Sequence, residues 1–410
     1  MLSSREKINY KILFFYFPAM MILYLVSVFF QNVSVPTISG ILMVMSLLLM
    51  MKTKIQIKKE SIAITLYFLI MVLSILQYIF FNGMPSSFYY TGVVYSALPI
   101  VMFWIPKGDR YKLLRTTFIS IELSIVVAFV LFQLKIPEYA DYLVFHGYLR
   151  NALHISTSFQ GLYGITAVGT YSACCTIFFY GCWLEKSKLL DLVCSAFSVF
   201  ILIFTLRRSA VAGCAVAFTL LNVIFFKKFK KMGKRQVIIG FVFILIIAGF
   251  WVVQSSKFFS VITRVLNISE AVSERSGNWD SNYSLIMSAP IFGTGVGSAG
   301  HNAFANGYMS ICDNSYLLML RESGFAGLLC FFACILSVYK IFLQNRNKDY
   351  IHYICFSITI IYIIQGIGSN VWEFPISAAL FWMVLSLCCG NDTIDGFETA
   401  TIKEGDYIAK

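Results

Sequence analysis

The chain has 410 residues, of which 59% are hydrophobic and 13% are charged. Soluble domains carry about 25% charged residues, so this composition excludes a soluble protein, together with collagen, coiled coils and intrinsic disorder. A polytopic membrane protein is the class that remains. The net charge of +12 would also suit a nucleic-acid-binding protein, and the positions of the charges decide between the two.

Apolar stretches of about 20 residues, the length that crosses the hydrocarbon core of a bilayer, predict twelve transmembrane helices. In chain order they are Ile12–Phe30, Val35–Met51, Ser61–Phe81, Tyr89–Ile105, Thr116–Leu134, Gly161–Trp183, Leu190–Leu206, Ser209–Phe226, Gln236–Val253, Gly324–Leu343, Ile351–Gly366 and Ile376–Cys389. The predicted fold class is therefore an all-α polytopic integral membrane protein with about 12 transmembrane helices.

The basic residues follow the alternation of the loops. With the N-terminus in the cytoplasm, the inner segments hold 24 of the 32 basic residues and the outer segments hold 8. This is the bias of the positive-inside rule, so both termini are predicted to be cytoplasmic. The outer segments also hold 8 acidic residues. The surplus positive charge is thus a topology signal, and nucleic acid is excluded as the expected partner.

A glutamate within a span and the positions of the cysteines add two further expectations. Glu122 lies within the fifth span and is expected either to snorkel or to be paired. Of the 11 cysteines, only Cys312 lies in an outer segment, so no disulfide framework is predicted.

Two outer segments are long, Lys135–Gln160 and Gln254–Ser323. Long loops are more often functional than merely connective. The second loop separates helices 9 and 10 and is expected to form a cap of short helices over the candidate site. The predicted organisation is residues 1–253 with helices 1–9, the outward loop 254–323, residues 324–390 with helices 10–12, and a cytoplasmic tail 391–410.

Two arginines depart from the charge bias. Arg207 and Arg208 lie in the tight outer turn between spans seven and eight, with no acidic residue nearby in sequence. They either snorkel to lipid phosphates or form an anion site, because guanidinium donors match phosphate oxygens. Arg264 and Arg275 in the long loop are candidates to join such a site, or to pair with neighbouring glutamates.

The long loop also contains a glycine motif. Gly295–Gly300 matches G-x-G-x-x-G, but no strand or βαβ unit surrounds it, so a flexible turn is favoured over a phosphate cradle. The outward histidines His146, His154 and His301 lack the spacing of metal ligands. No metal and no cofactor is predicted.

Asp313 stands at the start of an amphipathic stretch that is expected to run as a helix into the tenth span. An aspartate at this position either caps the helix or acts as a base. The two roles are compatible, although capping would lower the pKa and weaken the base.

Three motifs occur in order along the second half of the chain. The first is Thr205-Leu-Arg-Arg-Ser-Ala, which opens a helix. The second is Arg275-Ser-Gly-Asn-Trp279, followed by Pro290-Ile-Phe-Gly-Thr-Gly-Val-Gly297. In the third, Asn314 is followed by nine residues and then by Gly-x-x-Gly.

These motifs make Leu190–Leu343 resemble the bacterial O-antigen polymerase (Wzy-type) and O-antigen ligase superfamily. Arg208 matches the family's arginine, and Arg207 replaces its usual serine. Asp313 stands where the ligases carry the histidine thought to act on the acceptor hydroxyl. Because aspartate also accepts a proton, the role can persist, and the substitution favours a polymerase over a ligase.

The resemblance implies a metal-independent glycosyltransferase of the bacterial inner membrane. It would polymerise O-antigen or exopolysaccharide repeat units, moving glycan from an undecaprenyl diphosphate-linked donor to a sugar hydroxyl of another lipid-linked repeat unit at the periplasmic face. Arg208 and Arg275 are the candidates for neutralising the diphosphate, and Asp313 for accepting the hydroxyl proton. The candidates for substrate binding are Arg207, Arg264, Trp279, His301, Asn314 and Glu322.

Two alternatives stay open. An O-antigen ligase would transfer the same glycan to lipid A-core, and a lipid-linked oligosaccharide flippase or transporter would also be hydrophobic with both termini inside. The expected partners are the lipid bilayer and the undecaprenyl diphosphate-linked oligosaccharide, with a chain-length regulator and a flippase as candidates.

Overall fold

A computed structural model of the chain describes residues 4–30, 38–45, 59–82, 98–104, 109–145, 159–228, 279–280, 282–300, 313–345 and 348–389. Over these residues the secondary structure is helical, without strands, which confirms the all-α class. The α-helices are α1 Ser4–Phe29, α2 Lys59–Asn82, α3 Arg110–Gln133, α4 Pro137–Phe145, α5 Ile165–Lys186, α6 Leu189–Phe204, α7 Arg208–Lys228, α8 Ser315–Gln344, α9 Tyr350–Gly366 and α10 Pro375–Cys388. Short helical stretches cover residues 38–45 and 282–288.

Several of these helices suit a membrane. Within the described residues, 4 helices are long and apolar enough to cross it, namely Ile62–Phe80, Arg110–Gln133, Ile165–Lys186 and Ser315–Gln344, and shorter apolar helices accompany them. Large apolar side chains such as Leu76 and Leu336 are exposed on the bundle surface, by 55% and 65%. Lipid covers such a surface, and water would not. The chain is a multi-pass membrane protein.

The fourth predicted span differs from the expectation. Its described end, Leu98–Phe103, is a 3-10 helix rather than an α-helix. Pro99 lies in it and has no backbone N–H to donate. Of the second span only residues 38–45 are described, and the ninth lies outside the described residues, so the count of twelve stays a prediction. The other nine spans overlap α-helices.

The tenth span begins earlier than predicted, because the amphipathic stretch before it is helical and runs into it across a break at Gly324. Helix α8 therefore starts at Ser315 rather than at Gly324. The prediction of a helix running into this span is confirmed. The cap predicted for residues 254–323 is described only over residues 279–280, 282–300 and 313–323, and its function as a cap stays a prediction.

Helix α5 forms the centre of the bundle. Every residue from Thr166 to Leu184 is buried, and α5 packs against α3, α6, α7 and α9. Its sequence is rich in glycine, alanine, serine, threonine and cysteine, and such small residues let helices approach closely in a membrane. Helix α5 thus holds α7 and α9, whose ends form the site described below.

Glu122 on α3 is paired rather than snorkelling. Its side chain is buried, and the hydroxyl of Ser198 on α6 donates a hydrogen bond to Glu122 Oε2 at 2.7 Å. Ten cysteines in the described residues are free, while Cys312 lies outside the described residues.

Contacts between connecting segments divide the bundle into two ends. At one end, Arg110 lies 3.7 Å from Asp349 and Arg115 lies 3.0 Å from Asp191. At the other end, which we call the motif end, lie the turn between α6 and α7, residues 290–300, the start of α8 and the loop between α9 and α10. Each end collects segments that the charge bias assigns to one side. Which compartment each end faces stays a prediction.

The ion pair of Arg115 and Asp191 is expected to matter for stability. The side chain of Asp191 is 0% exposed, so Arg115→Ala leaves a buried carboxylate without its counter-ion, at a cost of about 3–5 kcal/mol. Thermal unfolding of the purified protein in detergent measures this loss. The double variant Arg115→Ala, Asp191→Asn should recover part of it. An Arg115→Ala protein as stable as the parent would contradict the prediction.

Candidate functional site

The turn between α6 and α7 carries the two arginines. Helix α6 ends at Phe204, the Thr205 hydroxyl donates to the Leu202 carbonyl at 2.7 Å, and Leu206 adopts a φ of 57°. Helix α7 then begins at Arg208. Arg208 is therefore placed where the free N–H groups of a helix N-terminus favour an anion.

Three serines join this turn to two other segments at the motif end. The hydroxyls of Ser209 and Ser369 share a hydrogen bond at 3.0 Å. The Ser315 hydroxyl donates to the Ser369 carbonyl at 2.8 Å and accepts from the Val371 N–H at 2.9 Å. The start of α7, the loop between α9 and α10, and the start of α8 are thus in direct contact. This places the segments of the first and third motifs together.

The start of α8 is capped by Asn314 and not by Asp313. Asn314 Oδ1 accepts hydrogen bonds from the N–H groups of Tyr316 at 2.9 Å and Leu317 at 3.1 Å. Asp313 precedes the cap and is half-buried. The capping role considered for Asp313 therefore belongs to its neighbour, and the carboxylate of Asp313 is not used to begin the helix.

The glycine-containing loop is bound to α8 at a break in that helix. Gly324 interrupts α8 with a φ of 66° and a ψ of −168°, which leaves nearby backbone groups available for the loop. Four backbone hydrogen bonds result, from Thr294 N to Arg321 O at 2.7 Å, Gly295 N to Glu322 O at 3.0 Å, Phe325 N to Pro290 O at 2.8 Å and Ala326 N to Ile291 O at 3.1 Å. We call these paired segments, residues 290–295 and 321–326, the glycine clamp.

Two glycines make the clamp possible. Gly293 has a φ of +71°, and a Cβ atom there would lie 2.4 Å from the carbonyl carbon of Glu322. Gly324 has a φ of +66°, and its Cβ would lie 2.2 Å from the carbonyl oxygen of Ile291. Both positions combine a left-handed conformation with backbone contact, which only glycine tolerates. The second and third sequence motifs are therefore parts of one local structure.

The side chain of Glu322 holds the same loop. It is 4% exposed, and its Oε1 accepts the Gly297 N–H at 2.8 Å. Together with the clamp, this bond engages the N–H groups of Thr294, Gly295 and Gly297 within the fold. The segment is thus a turn, as predicted, and its N–H groups are bonded to α8 rather than available to a phosphate. These bonds fix a turn that was expected to be flexible.

Of the remaining predicted site residues, the structure describes Trp279 and does not describe the other three. Trp279 lies shortly before the helical residues 282–288, and its buried indole N–H has no hydrogen-bond partner. These residues are tied to α8 by a 2.9 Å hydrogen bond from Arg321 Nη1 to Asn282 Oδ1. The predicted residues Arg264, Arg275 and His301 lie outside the described residues.

The loop between α9 and α10, Ile367–Phe374, was not predicted as part of the site. It contributes buried polar residues to the motif end, among them Ser369, Asn370 and Glu373. The available signal was the polar run Gly-Ser-Asn-Val-Trp-Glu between two apolar spans. In the sequence this run is indistinguishable from a short connection, because only contacts with distant segments bury it.

The motif end therefore combines opposite charges. Arg207 and Arg208 lie at the start of α7, and the negatively charged Asp313 directly precedes the cap of α8. The carboxyl groups of Glu322 and Glu373 lie on α8 and on the loop before α10. Such an arrangement suits a reaction in which an anionic group departs and a neutral group loses a proton. The described residues contain no group of three or more His, Cys, Asp or Glu that could hold a metal ion.

A comparison with known protein families matches the part of the chain that contains these motifs. Residues 193–332 match the family model described as O-antigen ligase. The matched segment runs from α6 into α8, so it includes Arg208, the glycine clamp and Asp313. No curated protein matches the chain significantly.

Proposed function

We propose that the chain is a polymerase of the O-antigen polymerase and ligase superfamily, because residues 193–332 match the O-antigen ligase family model. Membership implies transfer of lipid-linked glycans in a membrane. In the proposal, the donor is an undecaprenyl diphosphate-linked oligosaccharide. The acceptor is a sugar hydroxyl of a second lipid-linked repeat unit, and transfer occurs at the periplasmic face of the inner membrane.

One observation carries the proposal. The hydrogen bonds of Ser209, Ser369 and Ser315 join the start of α7 to the start of α8. Arg208 and Asp313 stand at these two helix starts, so an anion-binding group and a proton acceptor belong to the same end of the bundle. A transfer from a diphosphate to a hydroxyl needs both groups.

The proposed chemistry follows from these two groups. The acceptor oxygen forms a bond to the anomeric carbon with inversion, while the bond from that carbon to the diphosphate oxygen breaks. The diphosphate leaves with the electron pair, and the hydroxyl proton passes to Asp313. Arg208 and Arg275 neutralise the leaving group, with Arg207 and Arg264 as further donors, and no metal is needed. Trp279 and His301 are proposed to contact the sugars.

The substitution at Asp313 favours a polymerase over a ligase, and the products of a deletion strain test this choice. In an O-antigen-producing host, loss of a polymerase leaves a single repeat unit on the lipid A-core. Loss of a ligase leaves the core bare and polymer on the lipid carrier. Bare core with retained carrier-linked polymer would overturn the proposal in favour of the ligase. A chain-length regulator and a flippase are the proposed protein partners.

Asp313→Asn is expected to lower polymer synthesis by about 10²–10⁴-fold, because the amide does not accept the acceptor proton. Since Asn314 provides the cap, the helix should still form and membrane levels should be normal. Asp313→His should retain activity. Polymer is measured in a deletion strain carrying each variant. The control is Asp141→Asn, which neutralises an exposed carboxylate on α4. Wild-type polymer from Asp313→Asn would exclude this aspartate as the base.

A further inference from the structure

The loop between α9 and α10 buries polar groups that the proposed mechanism leaves unused. Asn370 is 1% exposed and Glu373 is 6% exposed. Burial of a carboxylate or an amide is costly unless its atoms are hydrogen-bonded. A buried polar atom that lacks a hydrogen-bond partner therefore points to a ligand that completes its bonding.

Asn370 has such an unused atom. Its Nδ2 donates a hydrogen bond to Glu373 Oε2 at 3.1 Å, which turns the amide toward the carboxylate. The other amide atom, Oδ1, is buried and has no hydrogen-bond partner. Since both amide atoms are bonded to the same carbon, this free acceptor lies beside the Glu373 carboxylate.

The pair lies where the motif segments meet. A Cβ atom at Gly300 would lie 2.4 Å from Glu373 Oε1, so the carboxylate rests against the end of the glycine-containing loop. On the other side, Ser369 directly precedes Asn370 and contacts both Ser209 and Ser315. The pair is therefore adjacent to the starts of α7 and α8.

A small cavity lies next to this loop at Trp372, and Asn370 and Glu373 are not among its lining residues. A cavity of about 20 Å³ is lined by Ser315, Glu322 and Trp372, among mostly apolar side chains. The indole N–H of Trp372 is buried and has no hydrogen-bond partner. A space of this size holds one oxygen atom, of a water molecule or of a hydroxyl group.

The chemistry of the pair selects its ligand. A carboxylate and an amide oxygen are both acceptors, so the ligand must donate hydrogen bonds. The oxygens of a diphosphate are acceptors as well, so the pair offers a diphosphate no donor, whereas the arginines of the first motif do. A neutral sugar hydroxyl fits both conditions. Resting on the proposed function, we propose that Asn370 and Glu373 form the subsite that binds a hydroxyl of the acceptor sugar, apart from the donor diphosphate.

Binding of the two halves of the substrate can be measured separately. The purified protein in nanodiscs is titrated with undecaprenyl diphosphate alone. It is also titrated with the free oligosaccharide that mild acid releases from lipid-linked repeat units of the deletion strain. Glu373→Gln should bind the oligosaccharide about tenfold more weakly, the usual loss for a charged hydrogen-bond partner, and should bind undecaprenyl diphosphate normally. Asn370→Leu should behave similarly.

Two further variants complete the test. Arg208→Lys should show the opposite pattern, with weaker binding of undecaprenyl diphosphate only. Glu138→Gln removes an exposed carboxylate on α4 and should change neither titration. Normal diphosphate binding by Glu373→Gln also shows that this variant folds. If Glu373→Gln does not fold, Asn370→Leu takes its place in the test.

The titrations separate a failure of the proposed subsite from a failure of the proposed function. Unchanged oligosaccharide binding by Glu373→Gln and Asn370→Leu, or no oligosaccharide binding by a wild-type protein that binds the diphosphate, would overturn the subsite alone. A wild-type protein that binds neither probe would count against the proposed function itself.

Discussion

Replacement of Arg208 by lysine is expected to abolish long-chain polysaccharide at normal membrane levels of the protein. Lysine keeps the charge but lacks the planar, bidentate donors that match a diphosphate. Because Arg208 stands at the start of α7, its side chain adds to the free N–H groups of a helix N-terminus. Loss of one such donor to developing charge costs about 10²–10³-fold in rate. The measurement is the glycan profile of a deletion strain complemented with the variant.

The control for Arg208→Lys is the same exchange at Arg235, in the lysine-rich stretch predicted to be cytoplasmic. Arg235→Lys should leave the glycan profile unchanged. Arg275→Lys is expected to match Arg208→Lys. Full-length polysaccharide in cells with Arg208→Lys would refute the assignment of this arginine to the diphosphate and favour the alternative, contact with lipid phosphates.

Replacement of Gly324 by alanine is expected to destabilise the protein severely. The added methyl group would lie 2.2 Å from the carbonyl oxygen of Ile291, and backbone atoms do not rotate away as a side chain does. The left-handed φ and the overpacking together cost about 3 kcal/mol or more. Since native proteins are stable by only about 5–15 kcal/mol, membrane levels and thermal stability in detergent should both fall.

Gly293→Ala should cause a similar loss, because Gly293 lies on the opposite segment of the same clamp. Gly169→Ala is the matched control. Gly169 lies in α5, and a Cβ atom there would lie 3.3 Å from the Ala210 side chain, an approach that small shifts relieve. Its effect should be well below that of Gly324→Ala. Equal stability of Gly324→Ala and the parent would mean that the clamp is not needed for folding.

Local patterns in the chain were sufficient for the class of the protein and for most of its helices. Hydropathy reports directly which stretches prefer lipid, so nine of the twelve predicted spans overlap α-helices, and the described residues 38–45 of a tenth are helical as well. The described part of Tyr89–Ile105 is the exception, because Pro99 within it has no backbone N–H. Among the described connecting segments, those that meet at either end are also ones that the charge bias assigns to a single side.

The candidate site could be predicted only in part. Arg208 and Asp313 were chosen from their positions in motifs, and the structure brings their helix starts into contact through Ser369. The identity of the helix cap was not predictable, since Asp313 and Asn314 are both residue types that cap helices. Backbone geometry at the start of α8 gives this role to Asn314.

What the sequence by itself determined is the membrane class, the approximate positions of most spans and the motifs that resemble those of the O-antigen polymerase and ligase superfamily, because each depends on residues close together in the chain. Only the tertiary structure decided how the motifs combine. The glycine clamp, the bond from Gly297 to Glu322 and the contact of Glu373 with Gly300 join residues distant in sequence. Such pairs form because helix packing brings backbone and carboxylate groups into a buried space, where each must find a partner.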